Sequence, residues 1–438
     1  MVTTLVIRGG TLIRDTDALR ADVLISDGRI VEIGAHVDAP AGAYEIDASG
    51  CWVGPGLVDL HTHLREPGGE SAETIESGAR AAAIGGFTAV VAMANTEPAL
   101  DNVALVTYVL DQGSRALVDV AVAGAITQGR QGERLAPMAE LAALGVRLFS
   151  DDGTGVQDAA VMRRALSYAR PLGIRLAQHC EDTNLAAGGS MNEGALSSRL
   201  GLVGRPAAAE EIMVARDIHL VRLTGAPLHF LHLSTARSLA AVGAARDEGL
   251  PVTAEVAPHH FTLDESACEN YDAHFKVNPP LRSRDDVAAV RASLVNGLAD
   301  AVATDHAPHA AELKDLPFDE APAGMLGLEH AASLTFEALG SSGADPIRFF
   351  ALLSRGPARI ASLRHGDARV RHSGHGGAVV AGEDANLVVF DPSARWRASR
   401  DRLQSLAYNT PYHGRELEGR VRTTIVRGAV VVDEGVLA

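Results

Sequence analysis

Two histidines, His61 and His63, lie in a stretch at residues 58–68 that follows an apolar run and ends in a Pro-Gly turn signal. Because side chains alternate faces along a strand, both imidazoles leave the backbone on the same side, and Arg65 joins them if the strand geometry persists. Imidazole is a preferred ligand of zinc and its neighbours in the periodic table. A lone His-x-His pair is short and common, so it also fits two polar residues at a strand end. The metal interpretation depends on the rest of the chain.

Length and composition are typical of a large globular enzyme. The chain has 438 residues, of which 47% are hydrophobic and 4% aromatic, so we expect two or three domains, or one barrel with additions. The formal net charge of −16 argues against nucleic acid or an anionic membrane as a partner. It does not exclude a small anionic substrate, because a local arginine can outweigh a distant net charge.

The cysteines and the N-terminus carry no sign of export. Cys51, Cys180 and Cys268 are far apart and form no CxxC pattern, so neither a disulfide framework nor a structural zinc ribbon is expected. The N-terminus lacks a charged leader region, and no uninterrupted apolar run has membrane-spanning length. These features predict a cytoplasmic protein without a membrane partner.

Both ends of the chain show short Val- and Ile-rich runs separated by Gly and Asp, a pattern that predicts strands and turns. The runs are residues 4–8, 21–26, 29–33, 386–390, 419–426 and 430–432. We predict that residues 1–53 and 379–438 together form one small composite β-sandwich domain with a structural role. It brackets a catalytic domain of residues 54–378.

The central segment alternates apolar runs with Ala-rich stretches of helical spacing, which indicates a parallel sheet with helical crossovers. The eight candidate strands are residues 57–63, 88–94, 119–123, 145–149, 174–179, 228–232, 252–256 and 301–304. Eight such units predict an α/β fold, a closed (β/α)8 TIM-like barrel. In these barrels the chemistry lies at the C-terminal ends of the strands.

Residues that can bind a metal or form hydrogen bonds end nearly every predicted strand. They are His61, His63, Asn95, Asp151, Asp152, His179, His232, His259, His260 and Asp305. This repetition indicates one shared central site. We interpret His179 and His232 as ligands and Asp152 as a bridging carboxylate that Asp151 supports. The adjacent His259 and His260 cannot face the same way, so we interpret both as structural, together with His219, His330 and Cys180.

These features resemble the amidohydrolase superfamily and, within it, the class I dihydroorotases of bacteria. The resemblance covers essentially the whole chain. Its segments are DLHTHLREPG at residues 59–68, AMANT at 92–96, FSDDG at 149–153, VNPPLR at 277–282 and ATDHAPH at 303–309. The first and the last of them are specific in combination. The chain departs mildly from relatives at residues 322–327, where they tend to place bulkier side chains.

The resemblance implies a site with two zinc ions. One zinc is held by His61, His63 and Asp305, the second by His179 and His232, and Asp152 is shared between them. It also implies the following substrate contacts: Arg65, Asn95 and His309 at a carboxylate, with His63 close by, and Asn278 and the backbone of Ala323 and Gly324 at the ring. A homodimer and an association with aspartate transcarbamoylase are expected partners.

Amide hydrolysis is the chemistry that such a site favours. Two metals lower the pKa of a bridging water toward about 7, and one of them polarises the carbonyl that the hydroxide attacks. Asp305 is expected to accept the water's proton and to pass it to the leaving nitrogen. In the biosynthetic direction, N-carbamoyl-L-aspartate closes to L-dihydroorotate on the route to UMP. The polar segment 309–324 is either a lid over the site or an ordinary surface loop.

Two other functions stay open from the sequence. One is a related ring hydrolase of hydantoins, dihydropyrimidines or allantoin, but only a substrate with a free carboxylate gives a buried Arg65 a charged partner. The other is a catalytically inactive scaffold for a transcarbamoylase, which should have lost ligands, and none is lost. Many binuclear relatives bridge their metals with a carboxylated lysine. The only lysines here, Lys276 and Lys314, lie outside the fourth strand, so Asp152 is expected to bridge.

Overall fold

The computed structural model describes residues 4–364 and 374–438. Its N-terminal part consists of short strands joined by tight turns. These strands are β1 (Leu5–Ile13), β2 (Ala18–Ser26), β3 (Arg29–Gly34), β4 (Tyr44–Asp47) and β5 (Trp52–Pro55).

The central part contains the parallel strands of the barrel. They are β6 (Leu57–Thr62), β7 (Phe87–Ala92), β8 (Asp119–Gly124), β9 (Leu148–Phe149) and β10 (Arg175–Gln178), followed, after the short pair β11 (Met191–Asn192) and β12 (Gly204–Arg205), by β13 (Leu228–Phe230), β14 (Val252–Val256) and β15 (Ala301–Val302). The eight strands are ordered β15-β14-β13-β10-β9-β8-β7-β6. A parallel bridge between Thr62 and His306 brings the two edges of this sheet together, so the predicted barrel is confirmed.

Helices follow most barrel strands and cover the outside of the sheet. They are α1 (Ile75–Ile84), α2 (Val103–Gly113), α3 (Met138–Ala143), α4 (Ala159–Leu172), α5 (Ala195–Leu200), α6 (Ala208–Thr224), α7 (Ala236–Asp247), α8 (Pro258–Thr262), α9 (Arg284–Asn296), α10 (Ala311–Lys314), α11 (Ala331–Ala338), α12 (Pro346–Phe350) and α13 (Gly356–Ile360). Strands covered on both faces are mostly apolar, as in β7, where every residue is buried. Polar caps start the helices: at α1 the Thr74 side chain accepts from the Ser77 amide.

The two ends of the chain form one sheet. The C-terminal strands are β16 (Leu387–Arg397), β17 (Glu416–Val426), β18 (Ala429–Asp433) and β19 (Val436–Leu437). They join the N-terminal strands in a nine-stranded sheet with the order β19-β18-β17-β16-β5-β1-β2-β3, and β4 pairs with β1. The antiparallel pairing of β5 with β16 connects the two ends. This confirms the terminal β unit, while the boundaries at residues 53 and 379 stay predictions.

The helices of the described residues are too short or too polar to span a membrane.

Candidate metal centre and substrate pocket

Side chains from separate barrel strands converge at the C-terminal end of the barrel. Nε2 of His61 lies 3.3 Å from Oδ2 of Asp152 and 3.5 Å from Oδ1 of Asp305. Nε2 of His63 lies 3.5 Å and 3.0 Å from the same two atoms. All four side chains are buried. Two imidazole nitrogens and two carboxylate oxygens therefore surround one small space.

A second group lies on the other side of Asp152. Nδ1 of His179 and Nε2 of His232 are 3.0 Å apart, and they lie 3.3 Å and 3.4 Å from Oδ1 of Asp152. Each oxygen of this carboxylate thus faces a different pair of histidines. This is the arrangement expected of a carboxylate that two metal ions share.

The backbone bends where the ligands leave the strands. His232 and Asp305 have φ angles of 31° and 48°, and Arg65 has a φ of 61°. Positive φ is uncommon for residues other than glycine and costs conformational energy. These bends explain why β13 and β15 end two residues before His232 and three before Asp305. Arg65 is also beyond the end of β6, so its position does not follow from strand alternation.

A buried row of hydrogen bonds orients His61. Its Nδ1 lies 2.9 Å from Oε1 of Glu255, whose Oε2 lies 2.9 Å from Nε2 of His229. The Nδ1 of His229 in turn lies 2.9 Å from the Thr253 hydroxyl. Burial raises the pKa of Glu255, but the contacts with His229 and His61 lower it by a larger amount, so that it is about 2. The ionised carboxylate accepts from Nδ1–H of His61, and the lone pair of Nε2 is left facing Asp152 and Asp305.

These donor atoms fit a divalent cation. Nε2 of His61 and Oδ1 of Asp152 are buried without a hydrogen bond among the described residues, which is rare and costly for polar atoms. Without a metal, only a proton on Nε2 of His61 can separate the lone pairs of the imidazole and the carboxylates. Burial opposes this protonation, but Asp152 and Asp305 raise the pKa of His61 well above its ordinary value. Two sets of His and Asp atoms, each within 4.8 Å of one another, share Asp152. Imidazole and carboxylate are zinc ligands.

Asn95 orients His63 in the same way. Nδ1 of His63 lies 2.8 Å from Oδ1 of Asn95, and because an amide oxygen only accepts, the ring donates there and its Nε2 faces the site. Asp151 turns away from the cluster, since its Oδ1 accepts from the backbone N–H groups of Ile126 and Thr127 at 2.8 Å and 3.0 Å. Asp151 therefore supports the loop that carries Asp152.

Arg65 lies beside the cluster with its guanidinium available. Its Nε donates to the carbonyl oxygen of Pro308 at 3.0 Å, and it forms no ion pair with any carboxylate in residues 4–364 and 374–438. Burial lowers the pKa of Arg65 to about 10, so the group is charged at neutral pH. Burial and the charge of Arg65 also lower the pKa of His309 to about 3, which keeps this imidazole neutral.

The remaining predicted substrate residues lie on loops, and two of these loops meet at His309. Nε2 of His309 lies 2.8 Å from the carbonyl oxygen of Ala323. Gly324 has a φ of 143°, and a Cβ there would come within 2.7 Å of the His309 ring, so only glycine fits. With its amide turned so that the nitrogen donates to the Val277 carbonyl at 3.0 Å, Asn278 accepts at its oxygen from Nη1 of Arg205 at 3.2 Å. Arg205 also contacts Glu181 at 2.5 Å.

The sequence did not reveal the residues that contact and orient the predicted metal ligands. Glu255 and His229 lie inside the apolar runs of β14 and β13, and an acid or an imidazole in such a run was the available signal. Glu181, whose Oε2 is 4.0 Å from Nε2 of His179, had no such signal. His259 is buried, and its Nε2 lacks a hydrogen bond among the described residues; its ring packs on His260 with centroids 4.3 Å apart.

Comparisons with known proteins identify the family. A family model described as dihydro-orotase-like matches residues 50–238. The chain is 47% identical to the dihydroorotase of Pelotomaculum thermopropionicum over 436 residues, with 99% of each chain covered. It is 46% identical to the dihydroorotase of Anaeromyxobacter dehalogenans over 441 residues, again with 99% of each covered.

Solved structures of related enzymes share the fold over the full length. The dihydropyrimidinase from Brevibacillus agri has a TM-score of 0.85 at 26% identity and covers 100% of this chain and 96% of its own. The L-hydantoinase from Arthrobacter aurescens has a TM-score of 0.87 at 23% identity, with 100% and 98% covered. The nearly complete coverage at 43–47% identity among curated relatives shows that this chain belongs to the dihydroorotase family of cyclic amidohydrolases.

Proposed function

We propose that this protein is a zinc-dependent dihydroorotase, which interconverts N-carbamoyl-L-aspartate and L-dihydroorotate in pyrimidine biosynthesis. The observation that carries the proposal is the Arg65 guanidinium, which lies beside the metal-ligand cluster without a carboxylate partner among the described residues. A substrate carboxylate would supply that partner through a charge-assisted, bidentate pair. Relatives named dihydroorotase over the full length of the chain support the same assignment.

We assign two zinc ions to the centre. His61, His63 and Asp305 would hold the first, His179 and His232 the second, and Asp152 would contribute one oxygen to each. Bound zinc supplies Lewis acidity, which polarises the amide carbonyl and lowers the pKa of water.

Asp305 would move the proton in this reaction. Its Oδ1 lies at the cluster, 3.0 Å from Nε2 of His63. Burial raises its pKa, but the charge of His61 and the contact with His63 lower it well below the ordinary value. The carboxylate is therefore ionised and able to accept a proton from the attacking water and deliver it to the ring nitrogen that leaves. Cyclisation uses the same transfer in reverse.

The pocket residues would orient the ring for this transfer. Because Oδ1 of Asn95 faces His63, the amide N–H groups of Asn95 remain to donate to a carboxylate beside Arg65. His309, whose Nε2–H is used by the Ala323 carbonyl, would donate from Nδ1 once the substrate carboxylate offsets the charge of Arg65 and the ring takes up a proton. Asn278 with the backbone of Ala323 and Gly324 would contact the ring. Fixing the carboxylate places the scissile amide over the metal ligands, which lowers the entropic cost of reaction.

A ring hydrolase for uncharged hydantoins or dihydropyrimidines is the second candidate, because solved structures of such enzymes share the fold. Arg65 argues against it, since an uncharged ring would leave its half-buried guanidinium without a charged partner. The substitution Arg65→Met separates the two functions. It should reduce kcat/KM for L-dihydroorotate by roughly 10- to 100-fold, the loss of a charge-assisted hydrogen bond.

The same variant should change any trace activity on dihydrouracil very little, because that ring carries no carboxylate. Zinc-loaded wild-type protein is assayed on both substrates in parallel. Equal losses on both rings, or a wild-type preference for dihydrouracil, would contradict the proposed substrate.

A homodimer, an association with aspartate transcarbamoylase and a cytoplasmic location complete the proposal. All three cysteines are buried and free, in keeping with a reducing compartment. Sedimentation of the purified protein, alone and mixed with the transcarbamoylase of the same organism, tests the two assembly predictions.

A further inference from the structure

The side-chain amines of both lysines of the chain bind the same loop, residues 319–324, beside the proposed substrate pocket. Lysine accounts for only two of the 39 basic residues, and arginine supplies the rest. Lys314 is 4% exposed and Lys276 is 7% exposed, although lysine is among the residues least often buried. The chain thus has arginine at every other basic position but lysine at these two buried ones. This suggests that arginine cannot do what lysine does there.

The Lys314 amine binds the backbone that borders the pocket. Its Nζ donates to the carbonyl oxygens of Pro322 and Gly324 at 2.8 Å and 3.0 Å. The Gly324 carbonyl also accepts from Nδ2 of Asn409 at 3.1 Å. These bonds hold the backbone on both sides of Ala323.

Lys276 also binds this segment. Its Nζ donates to the carbonyl oxygen of Asp319 at 2.9 Å, and its own carbonyl accepts from the Gly324 amide at 2.9 Å. Residues 319–324 thus have four backbone groups bound to the two lysines. These hydrogen bonds stabilise the loop in addition to the packing of its side chains.

This segment sets the position of a substrate residue. The carbonyl oxygen of Ala323, between the two carbonyls that Lys314 binds, lies 2.8 Å from Nε2 of His309. The His309 amide donates to Oδ1 of Asn409 at 3.1 Å, the same side chain that binds Gly324. A shift of the Pro322 and Gly324 carbonyls would therefore move the His309 ring and the pocket wall together.

The geometry at Lys314 suits an ammonium group and not a guanidinium. Two carbonyls converge on one nitrogen, whereas an arginine presents its donors as a broad planar fork. The site is closed, so the larger head group would displace the carbonyls. Burial, with the nearby charge of Lys276, lowers the pKa of Lys314 to about 7, and the neutral amine would still have two N–H donors for the two carbonyls.

We propose that Lys314 is a positioning residue for the reaction: it fixes the backbone of residues 322–324 and, through Ala323, orients His309 toward the substrate carboxylate. The proposal rests on the dihydroorotase function proposed above. It assigns Lys314 to substrate binding rather than to the metal centre, so its loss should weaken binding and leave the bound metal in place.

Steady-state kinetics and amide exchange test the proposal on zinc-loaded, full-length protein. Lys314→Met keeps the length of the side chain and removes its donors, and Lys314→Arg keeps the charge and changes the geometry. Glu312→Gln, an exposed position on the same helix α10, is the matched control. Lys314→Met leaves the Pro322 and Gly324 carbonyls without their donor and Lys314→Arg displaces them, so KM for L-dihydroorotate should rise at least about tenfold in both lysine variants.

The kcat of both variants should change much less than KM, as expected when binding is lost equally from the ground and transition states. Zinc content should equal that of the wild type, and backbone amides of residues 319–326 should exchange faster without substrate. Unchanged KM in Lys314→Met, or unchanged exchange in this segment, would overturn the role. If Lys314→Met does not fold, unchanged KM in Lys314→Arg overturns it.

The wild type separates this inference from the proposed function. If zinc-loaded wild-type protein does not turn over L-dihydroorotate, the proposed function is wrong. If it does and the lysine variants match Glu312→Gln in KM, only the role of Lys314 is wrong.

Discussion

The division of the two Asp152 oxygens between two pairs of imidazoles underlies the assignment of two metals. Asp305 is different, because His61 and His63 are the only imidazoles within ion-pair distance of it in the described part of the chain. A carboxylate on one side of the centre can contact a metal and still exchange a proton with the reacting atoms. From this asymmetry we predict separate roles for the two buried aspartates.

The substitution Asp305→Asn tests this role at the scale of one residue. The amide keeps the size of the side chain but cannot accept the proton, so kcat should fall at least about a hundredfold, the low end of general acid-base contributions. The far-ultraviolet circular dichroism should match that of the wild type. The exposed Asp315→Asn serves as the control, and a near-normal rate in Asp305→Asn would remove Asp305 from the mechanism.

At the scale of the elements, the barrel was predictable and its pairing details were not. Each of the eight predicted strands is present. Parallel strands that are buried on both faces are mostly apolar, so their runs could be recognised in the sequence. Their ends were placed too late at β13 and β15, where positive φ angles at His232 and Asp305 bend the chain. The pairing of β5 with β16 joins distant segments, and local periodicity does not specify such a partner.

The site was predictable where polar residues end strands and hidden where they lie inside them. His61, Asp152 and Asp305 follow apolar runs, so their positions indicated a common centre. Glu255 and His229 face the barrel interior from the middle of their strands, and the apolar neighbours on each side masked them. Arg65 depends on a backbone turn that strand alternation does not describe.

Glu255 on β14 should determine how strongly the centre holds its metal. Glu255→Gln removes the charge that makes Nδ1 of His61 a donor, and groups of this kind typically contribute 10- to 100-fold, so we expect zinc affinity to fall by about that factor. Competition with a chromogenic chelator measures it. Glu248→Gln, at a surface carboxylate that pairs with Arg222, is the control. Wild-type zinc affinity in Glu255→Gln would show that Glu255 has no part in metal binding.

At the scale of the whole molecule, the scarcity of lysine limits the chemistry of the centre. Lys276 and Lys314 both bind loop carbonyls away from the predicted metal ligands, so we expect no carboxylated lysine at the centre. Arginine cannot replace it, because the guanidinium stays protonated and has no acceptor.

We therefore predict that zinc reconstitution of the metal-free protein does not depend on bicarbonate. Lys276→Arg and Lys314→Arg should both retain zinc, even though the second should bind substrate poorly. Elemental analysis after reconstitution in carbon-dioxide-free buffer measures this. Recovery of zinc only after bicarbonate is added would overturn the assignment of Asp152 as the shared carboxylate.

Removal of the metal tests the central claim most directly, because the claim is that this dihydroorotase family member works through the cluster around Asp152. Protein dialysed against a chelator and verified by elemental analysis as metal-free should not hydrolyse L-dihydroorotate, and added zinc should restore turnover. Hydrolysis by the metal-free protein at the original rate would contradict the account.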